Sequence, residues 1–322
     1  MPKNQVSVVI INYNSSKYTI DCIKSIKDVV ESIIDYNIVV IDNNSDIEDY
    51  KKLKTIVEKQ QDIKLIRSKV NLGFSGANML AVQHTNSEYV FFLNNDTILL
   101  NDCISILYNF MKSNKDVGVC TGQMFNTDLS FHHSFNYFPT LSIRLLGSGL
   151  MRSFKPEKYP NKKKEYAEPL RVDYVTGAAM FIDYSKFAEI GGFDTNYFLY
   201  CEEEDIAMLM KQNNYDIYLV PEAKFVHHMG KSTIRNFNIE KENYISRLYF
   251  HKKHSNTLAY SLHKFLYFLK NIKKFYKDIN FIKLSFFIIF GAKMKYSMKH
   301  KQKLSIDWKI KKGAIKAPFF IC

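Results

Sequence analysis

The chain has no apolar run near the ~20 residues that a membrane-crossing helix needs; its longest late stretch, residues 284–292, has nine. Glycine (12) and proline (7) are scarce in 322 residues, which excludes collagen-like and low-complexity chains. The five cysteines are scattered, odd in number and without CxxC or Cys/His zinc spacing. A disulfide framework and a zinc module are therefore not expected, and a reducing cytoplasm is. The first residues pass straight into a strand pattern, so no signal peptide is expected either.

What is present is an ordinary globular balance, 46% hydrophobic and 24% charged. The length suits one large domain, or one with an extension. The charge is uneven. Residues 251–322 hold 17 lysines, no arginine and two acids, a net +15; the whole chain is +13, so residues 1–250 sum to −2. We expect a main domain over 1–235 and a basic, amphipathic, helical C-terminal extension over 236–322. Such a tail implies an anionic partner, most simply phospholipid headgroups at the inner face of the cytoplasmic membrane. No recognition motif for nucleic acid accompanies the charge, so nucleic acid is not expected as a partner.

Residues 6–12 (VSVVIIN), 37–42 (NIVVID), 63–67 and 88–93 (EYVFFL) read as strands, the continuous apolar runs being those of strands buried on both faces. Helical spacing falls between them, over 18–34, 48–60 and 75–84, the last with Ser75 as N-cap. This alternation predicts an α/β fold with a mainly parallel sheet flanked by helices. In such folds the ligand lies beyond the C-terminal strand ends. Polar clusters stand at three of those ends: Asn12-Tyr13-Asn14, Asp42 to Ser45, and Asn94-Asn95-Asp96. Residues 125–170 are irregular, as in a substrate loop or a mobile segment. A helix is expected over 202–212 and a strand over 217–220. In the tail, Leu262, Phe265, Leu266, Leu269, Ile272 and Tyr276 form a helical stripe bordered by lysines. That pattern suits a membrane interface, or a helix packed on the body with a solvated lysine face.

Several residues carry possible chemistry. Asp96, at a strand end beside two asparagines, suits a hard divalent cation such as Mg²⁺ or Mn²⁺, or an Asx turn or helix cap. Asp42 can accept a hydrogen bond from a base or ribose, or cap a helix. In NLGFSGAN (71–78), Gly73 and Gly76 precede a helix, where backbone can approach an anion. This segment is neither GxGxxG nor a P-loop, so hydride-transfer and ATPase readings lose their main support. Glu202, Glu203, Glu204 and Asp205 open a helix, where the dipole favours acids. Four adjacent carboxylates also repel one another and raise some pKa values, as a general base near neutral pH requires. Glu202 and Asp205 share one face and Glu203 points elsewhere. His227 follows a strand and could complete a metal shell or hold a phosphate.

Taken in order, VSVVIINYNS, VVIDNNSDIED, NLGFSGAN, FFLNNDTIL, VTGAAMFI, IGGFDTNYFLYCEEEDIAML and VPEAKFVHHMGKS resemble family 2 inverting glycosyltransferases of the GT-A (Rossmann-like) fold. The bacterial rhamnosyltransferase-like branch is the most similar. The resemblance implies a metal-dependent transfer of a sugar, rhamnose first, from a nucleoside-diphosphate donor. The acceptor would be a hydroxyl of a growing cell-surface saccharide (capsule, O-antigen or similar), lipid-linked acceptors included. It implies that Asn12, Asn14, Asp42, Asn44, Asn71, Gly73, Phe74, Asn94 and Asn95 line the nucleotide pocket, with Asp42 reading the base. Asp96 and His227 would face the metal and diphosphate, and Gly177 and Ala178 the sugars. Glu203 stands at the position of the catalytic base. Because EEED replaces the usual Glu-Asp-x-Asp, Glu202 and Asp205 remain candidates. Two other readings are a non-catalytic nucleotide-sugar or saccharide-binding protein of this fold and a sugar nucleotidyltransferase. The latter usually has a glycine-rich loop with Arg and Lys after the first strand, where this chain has NYNSSK.

Overall fold

The computed structural model describes residues 4–31, 34–228 and 236–304. The chain begins β1 (Asn4–Asn12), α1 (Ser16–Val29), β2 (Tyr36–Asp42), α2 (Ile47–Val57), β3 (Ile63–Arg67), α3 (Gly73–Val82) and β4 (Ser87–Asn94). It continues through β5 (Thr97–Leu99), α4 (Cys103–Ser113), β6 (Val117–Phe125), β7 (Phe135–Asn136), α5 (Leu141–Phe154), β8 (Leu170–Arg171), β9 (Tyr174–Val175) and β10 (Ala179–Asp183). Then come α6 (Tyr184–Glu189), α7 (Glu202–Gln212), β11 (Asp216–His227), α8 (Phe237–His254), α9 (Thr257–Ile272) and α10 (Asn280–Ile289), with 3₁₀ turns at Met294–Tyr296 and Met298–Lys301.

The central sheet has the order β3-β2-β1-β4-β10-β6-β11-β5, with β8 also on β11. β3, β2, β1 and β4 pair in parallel, as do β6 and β11; β10 runs antiparallel between β4 and β6. The apolar runs are explained by burial on both faces. Val6, Val8 and Ile10 of β1 pack under α1, α2 and α4, while Val9 faces α3, α6 and α7 on the other side. The segment 125–170 is not featureless. It carries α5 and β7 and a small core of its own around Phe135, Tyr137, Tyr159 and Leu219.

Several element boundaries differ from the sequence expectation. Helix α1 stops at Val29 rather than at 34. Helix α3 starts at Gly73, two residues before Ser75, because Asn71 Oδ1 accepts from Gly73 N at 2.9 Å and sets the first turn. Strand β11 runs on through Pro221 to His227. The proline sits where the register with β6 shifts, between Val220 and Lys224, so no ladder hydrogen bond is lost to it.

The C-terminal helices pack on one another around Tyr244, Ile245, Leu248, Tyr267, Leu284 and Ile288. Phe250 of α8 reaches the main core beside α7. On α9 the buried face is His263, Tyr267 and Asn271, not the apolar stripe expected there; Phe265 and Tyr276 of that stripe are exposed. Among the described residues no helix is long and apolar enough to cross a membrane.

Candidate active site

Strand register gathers the polar strand ends. Asn12 lies opposite Asp42, Asp42 opposite Arg67, and Ile11 opposite Asn94. They share one edge where the strand order reverses around β1, the usual ligand crevice of such sheets. A cavity of about 600 Å³ opens there, lined among others by Tyr13, Asn14, Ser15, Asn71, Gly73, Phe74, Asn94, Asn95 and Asp96.

Three expected lining residues stand elsewhere. Asn12 and Asp42 are 0% exposed, behind the wall. Asn12 Nδ2 lies 3.0 Å from Asp42 Oδ1 and 3.1 Å from both Ser45 Oγ and Asp49 Oδ2. The other Asp42 oxygen accepts from Ser45 N at 3.3 Å and faces Arg67 Nε at 3.4 Å. In this structure Asp42 therefore holds the turn that carries Ser45 and presents no free oxygen to the cavity. Asn44, in a left-handed turn, is also outside the lining, and Asn43 takes the place expected of it. Asn43 Oδ1 accepts from Leu72 N at 2.8 Å and its amide nitrogen donates to Asn71 Oδ1 at 3.0 Å.

Gly73 lies in the cavity wall. It has φ +71, and a Cβ there would lie 2.2 Å from the carbonyl oxygen of Phe198. The next residue, Phe74, donates its N–H to that same oxygen at 2.8 Å. Only glycine permits this approach. It brings the loop ahead of α7 against the start of α3.

At the end of β4, Asn95 Nδ2 donates to Ser15 Oγ at 2.7 Å and Thr19 Oγ1 at 2.9 Å, fixing the turn. Asp96 Oδ1 lies 3.0 Å from His227 Nε2, and Asn94 Nδ2 lies 3.5 Å from the same nitrogen. His227 Nδ1 is buried and has no hydrogen-bond partner among the described residues. No group of three or more metal-ligating side chains occurs among those residues. Asp96 brings one carboxylate and His227 an imidazole nitrogen to this point. The single carboxylate is the part of the pair that suits a hard cation of the Mg²⁺ type, whose shell substrate phosphates and water would complete. The Gly230 to Ser232 part of the histidine motif lies outside the described residues.

The acidic turn is launched by two consecutive left-handed residues, Tyr200 (φ 75) and Cys201 (φ 69), a costly backbone for non-glycine residues. Of its four acids, Glu203 alone is not fully buried. Its carboxylate packs against Gly177, where a Cβ would lie 3.9 Å from Glu203 Oε2. The neighbouring Ala178 carbonyl accepts from Asn94 N at 2.9 Å. Glu203 and Asp96 are therefore joined through Gly177, Ala178 and Asn94 along one sheet edge. Burial, then the charge of Glu204, push the Glu203 carboxyl up to about 7, while the Arg247 guanidinium pulls it down. Burial beside Glu203 also holds Glu202 well above the ordinary carboxylate range. Glu204 accepts from Tyr174 OH at 3.0 Å. Asp205 is corrected as a candidate base. It is buried, and its oxygens are taken by His254 Nε2 at 2.6 Å, Lys253 Nζ at 2.8 Å and Tyr197 OH at 3.2 Å. It anchors α7 to α8.

Residues 7–191, more than half of the chain, match the profile of glycosyl transferase family 2. The chain belongs to this family. The family 2 glycosyltransferase is 27% identical over 202 residues to rhamnosyltransferase WbbL of Escherichia coli K12, covering 60% of this chain and 73% of that one. It is 26% identical over 288 residues to the uncharacterized glycosyltransferase MJ1057 of Methanocaldococcus jannaschii, covering 89% and 87%. Among solved structures, that of GalNAc-T7 with UDP, GalNAc and Mn²⁺ aligns with a TM-score of 0.61 at 15% identity. It covers 92% of this chain, which spans 56% of that one, and shows the fold to be GT-A.

Sequence reasoning missed Asn43, Phe198 and Leu199 in the cavity of this glycosyltransferase, and Arg247 beside its acidic turn. Asn43 had a signal, since it directly follows strand β2. Arg247 had none, because it reaches the turn only through the packing of α8 on α7.

Proposed function

We propose that this glycosyltransferase moves a sugar from a nucleoside-diphosphate donor to a hydroxyl of a growing cell-surface saccharide, with inversion at the anomeric carbon. Rhamnose is the first donor to test, supported by the likeness to WbbL. The observation that carries the reading is the half-buried Glu203, packed against Gly177 and linked through Ala178 and Asn94 to the Asp96–His227 pair, with Asn94 and Asp96 themselves in the wall of the cavity.

Asn14, Asn71, Gly73 and Phe74 line the part of the cavity that would take the nucleotide. Asp96 and His227 would hold Mg²⁺ or Mn²⁺, which supplies neutralisation of the charge on a leaving diphosphate. Glu203 takes the proton of the acceptor hydroxyl. That oxygen bonds to the anomeric carbon from the face opposite the diphosphate. The old C–O bond breaks with its electron pair leaving on the diphosphate, so configuration inverts. One carboxylate suffices, whereas glycoside hydrolysis uses two flanking the bond.

A thermal-shift panel of UDP-, dTDP-, GDP- and CMP-sugars, each with and without Mn²⁺ or Mg²⁺, tests the donor site. One nucleotide class should stabilise the protein in a cation-dependent way, by about 2.7 kcal/mol at 100 times its dissociation constant. No shift with any donor would overturn the assignment. Binding without transfer to any acceptor would favour a non-catalytic binding protein, and formation of a nucleotide sugar from a sugar phosphate would favour a nucleotidyltransferase.

The same reading sets the enzyme peripherally on the anionic inner face of the cytoplasmic membrane, near lipid-linked acceptors. Phe265 of α9, Phe286 of α10, and Tyr276 and Phe290 in the turns that follow these helices are exposed in this lysine-rich stretch, and α5 exposes Leu145, Leu146 and Phe154. Each basic residue near an anionic surface contributes about 1 kcal/mol. The last of the basic tail, residues 305–322, lies outside the described residues. Co-flotation with phosphatidylserine vesicles at low salt, lost at high salt, is the expected result. Failure to float with them, or equal binding to neutral vesicles, would refute the membrane placement.

A further inference from the structure

Part of the cavity lining comes from an unexpected stretch of the chain. Met298 and Gln302, in and just after the second 3₁₀ turn, line the cavity together with Asn236 and Ile239 from the start of α8. The chain leaves the sheet at the end of β11, builds α8, α9 and α10, and returns to cover the site. The return is latched. Glu242, buried on α8, accepts from Ser297 Oγ at one oxygen and from Met298 N at the other, both at 2.7 Å. Ser297 is itself fully buried. Lys299 Nζ donates to Thr195 O at 2.7 Å, on the loop ahead of α7, and Gln302 Nε2 donates to Met298 O at 2.9 Å.

A buried carboxylate is costly unless its lone pairs are met. Burial pushes Glu242 above its ordinary range, and the bonds from Met298 N and Ser297 Oγ act against that shift. The latch therefore fixes the strap in one place. Met298 and Gln302 are each partly exposed, so their side chains retain surface for a ligand. A thioether offers an adaptable apolar contact. A glutamine amide offers both a donor and an acceptor.

We propose that Met298 and Gln302 are donor-binding residues, contacting the nucleoside-diphosphate sugar in the cavity that Asn71 and Phe74 also line, and that Glu242 is the residue that positions them. The proposal rests on the reading of this cavity as the donor site. It makes the C-terminal strap part of the pocket rather than a tail beside it.

The test uses the full chain and the donor found by the thermal-shift panel. Gln302→Ala and Met298→Ala should each raise the donor KM by about fivefold or more, with kcat at saturating donor and the acceptor KM moving less than about twofold. Glu242→Gln and Ser297→Ala, which loosen the latch without touching the cavity, should shift the donor KM in the same direction. A purely structural role would lower Tm and the active fraction without moving the donor KM. Unchanged donor KM in both Gln302→Ala and Met298→Ala, with wild-type binding intact, overturns the proposal and leaves the donor site standing. Failure of the wild-type chain to bind any nucleotide sugar overturns both.

Discussion

Glu203→Gln lowers kcat by roughly 10²–10⁴-fold while the donor dissociation constant stays within about twofold. The amide matches the carboxylate in shape but cannot accept the acceptor's proton. The residue contacts Gly177, not the nucleotide end of the cavity, so donor binding has no reason to weaken. The raised carboxyl also sets a pH dependence. A base works ionised, so the rate rises with pH and levels off above about 7, the value to which burial and the Glu204 charge push Glu203. Arg247→Met removes a cation that holds this value down, and the rising limb moves to higher pH. A kcat–pH profile of the wild-type and Arg247→Met enzymes checks this; a limb that stays in the ordinary carboxylate range in both would exclude Glu203 as the base.

Asp96→Asn removes cation-dependent donor binding and lowers kcat/KM by roughly 10²–10³-fold, since a cation at a leaving diphosphate supplies several kcal/mol. The side chain is nearly isosteric and still faces His227, so the fold persists. The check is a titration of Mn²⁺ against donor-induced thermal stabilisation. Wild-type protein should show coupling between cation and donor, and the variant none. Preserved coupling in Asp96→Asn would place the cation elsewhere.

The parts legible in the sequence are those in which local pattern and burial agree. β1, β2 and β4 are apolar runs sealed on both faces by helices, and α7 matches its expected bounds, 202–212, because four acids mark its start. The strand-end clusters fall on one sheet edge, where the cavity opens, because parallel register aligns them. What was not legible depends on contacts distant in sequence. Asp205 looked available for chemistry, yet Lys253 and His254, 48 and 49 residues on, occupy it. Asp42 looked like a pocket residue, yet Asn12, Ser45 and Arg67 enclose it. The stripe on α9 followed hydrophobicity, whereas packing chose three other residues against α8: the His263 ring stacks on His251, the Tyr267 ring meets Tyr244 edge-on, and Asn271 donates to Tyr244 OH. The strap over the cavity reads in sequence only as part of a lysine-rich tail.

The most direct measurement is the anomeric configuration of the product. A donor of defined configuration is incubated with the enzyme, cation and a hydroxyl acceptor, and the new linkage is read by NMR coupling constants. Attack assisted by one carboxylate predicts inversion, complete within detection and lost with Glu203→Gln. A product that retains the donor's configuration would contradict the single-base mechanism and the role given to Glu203.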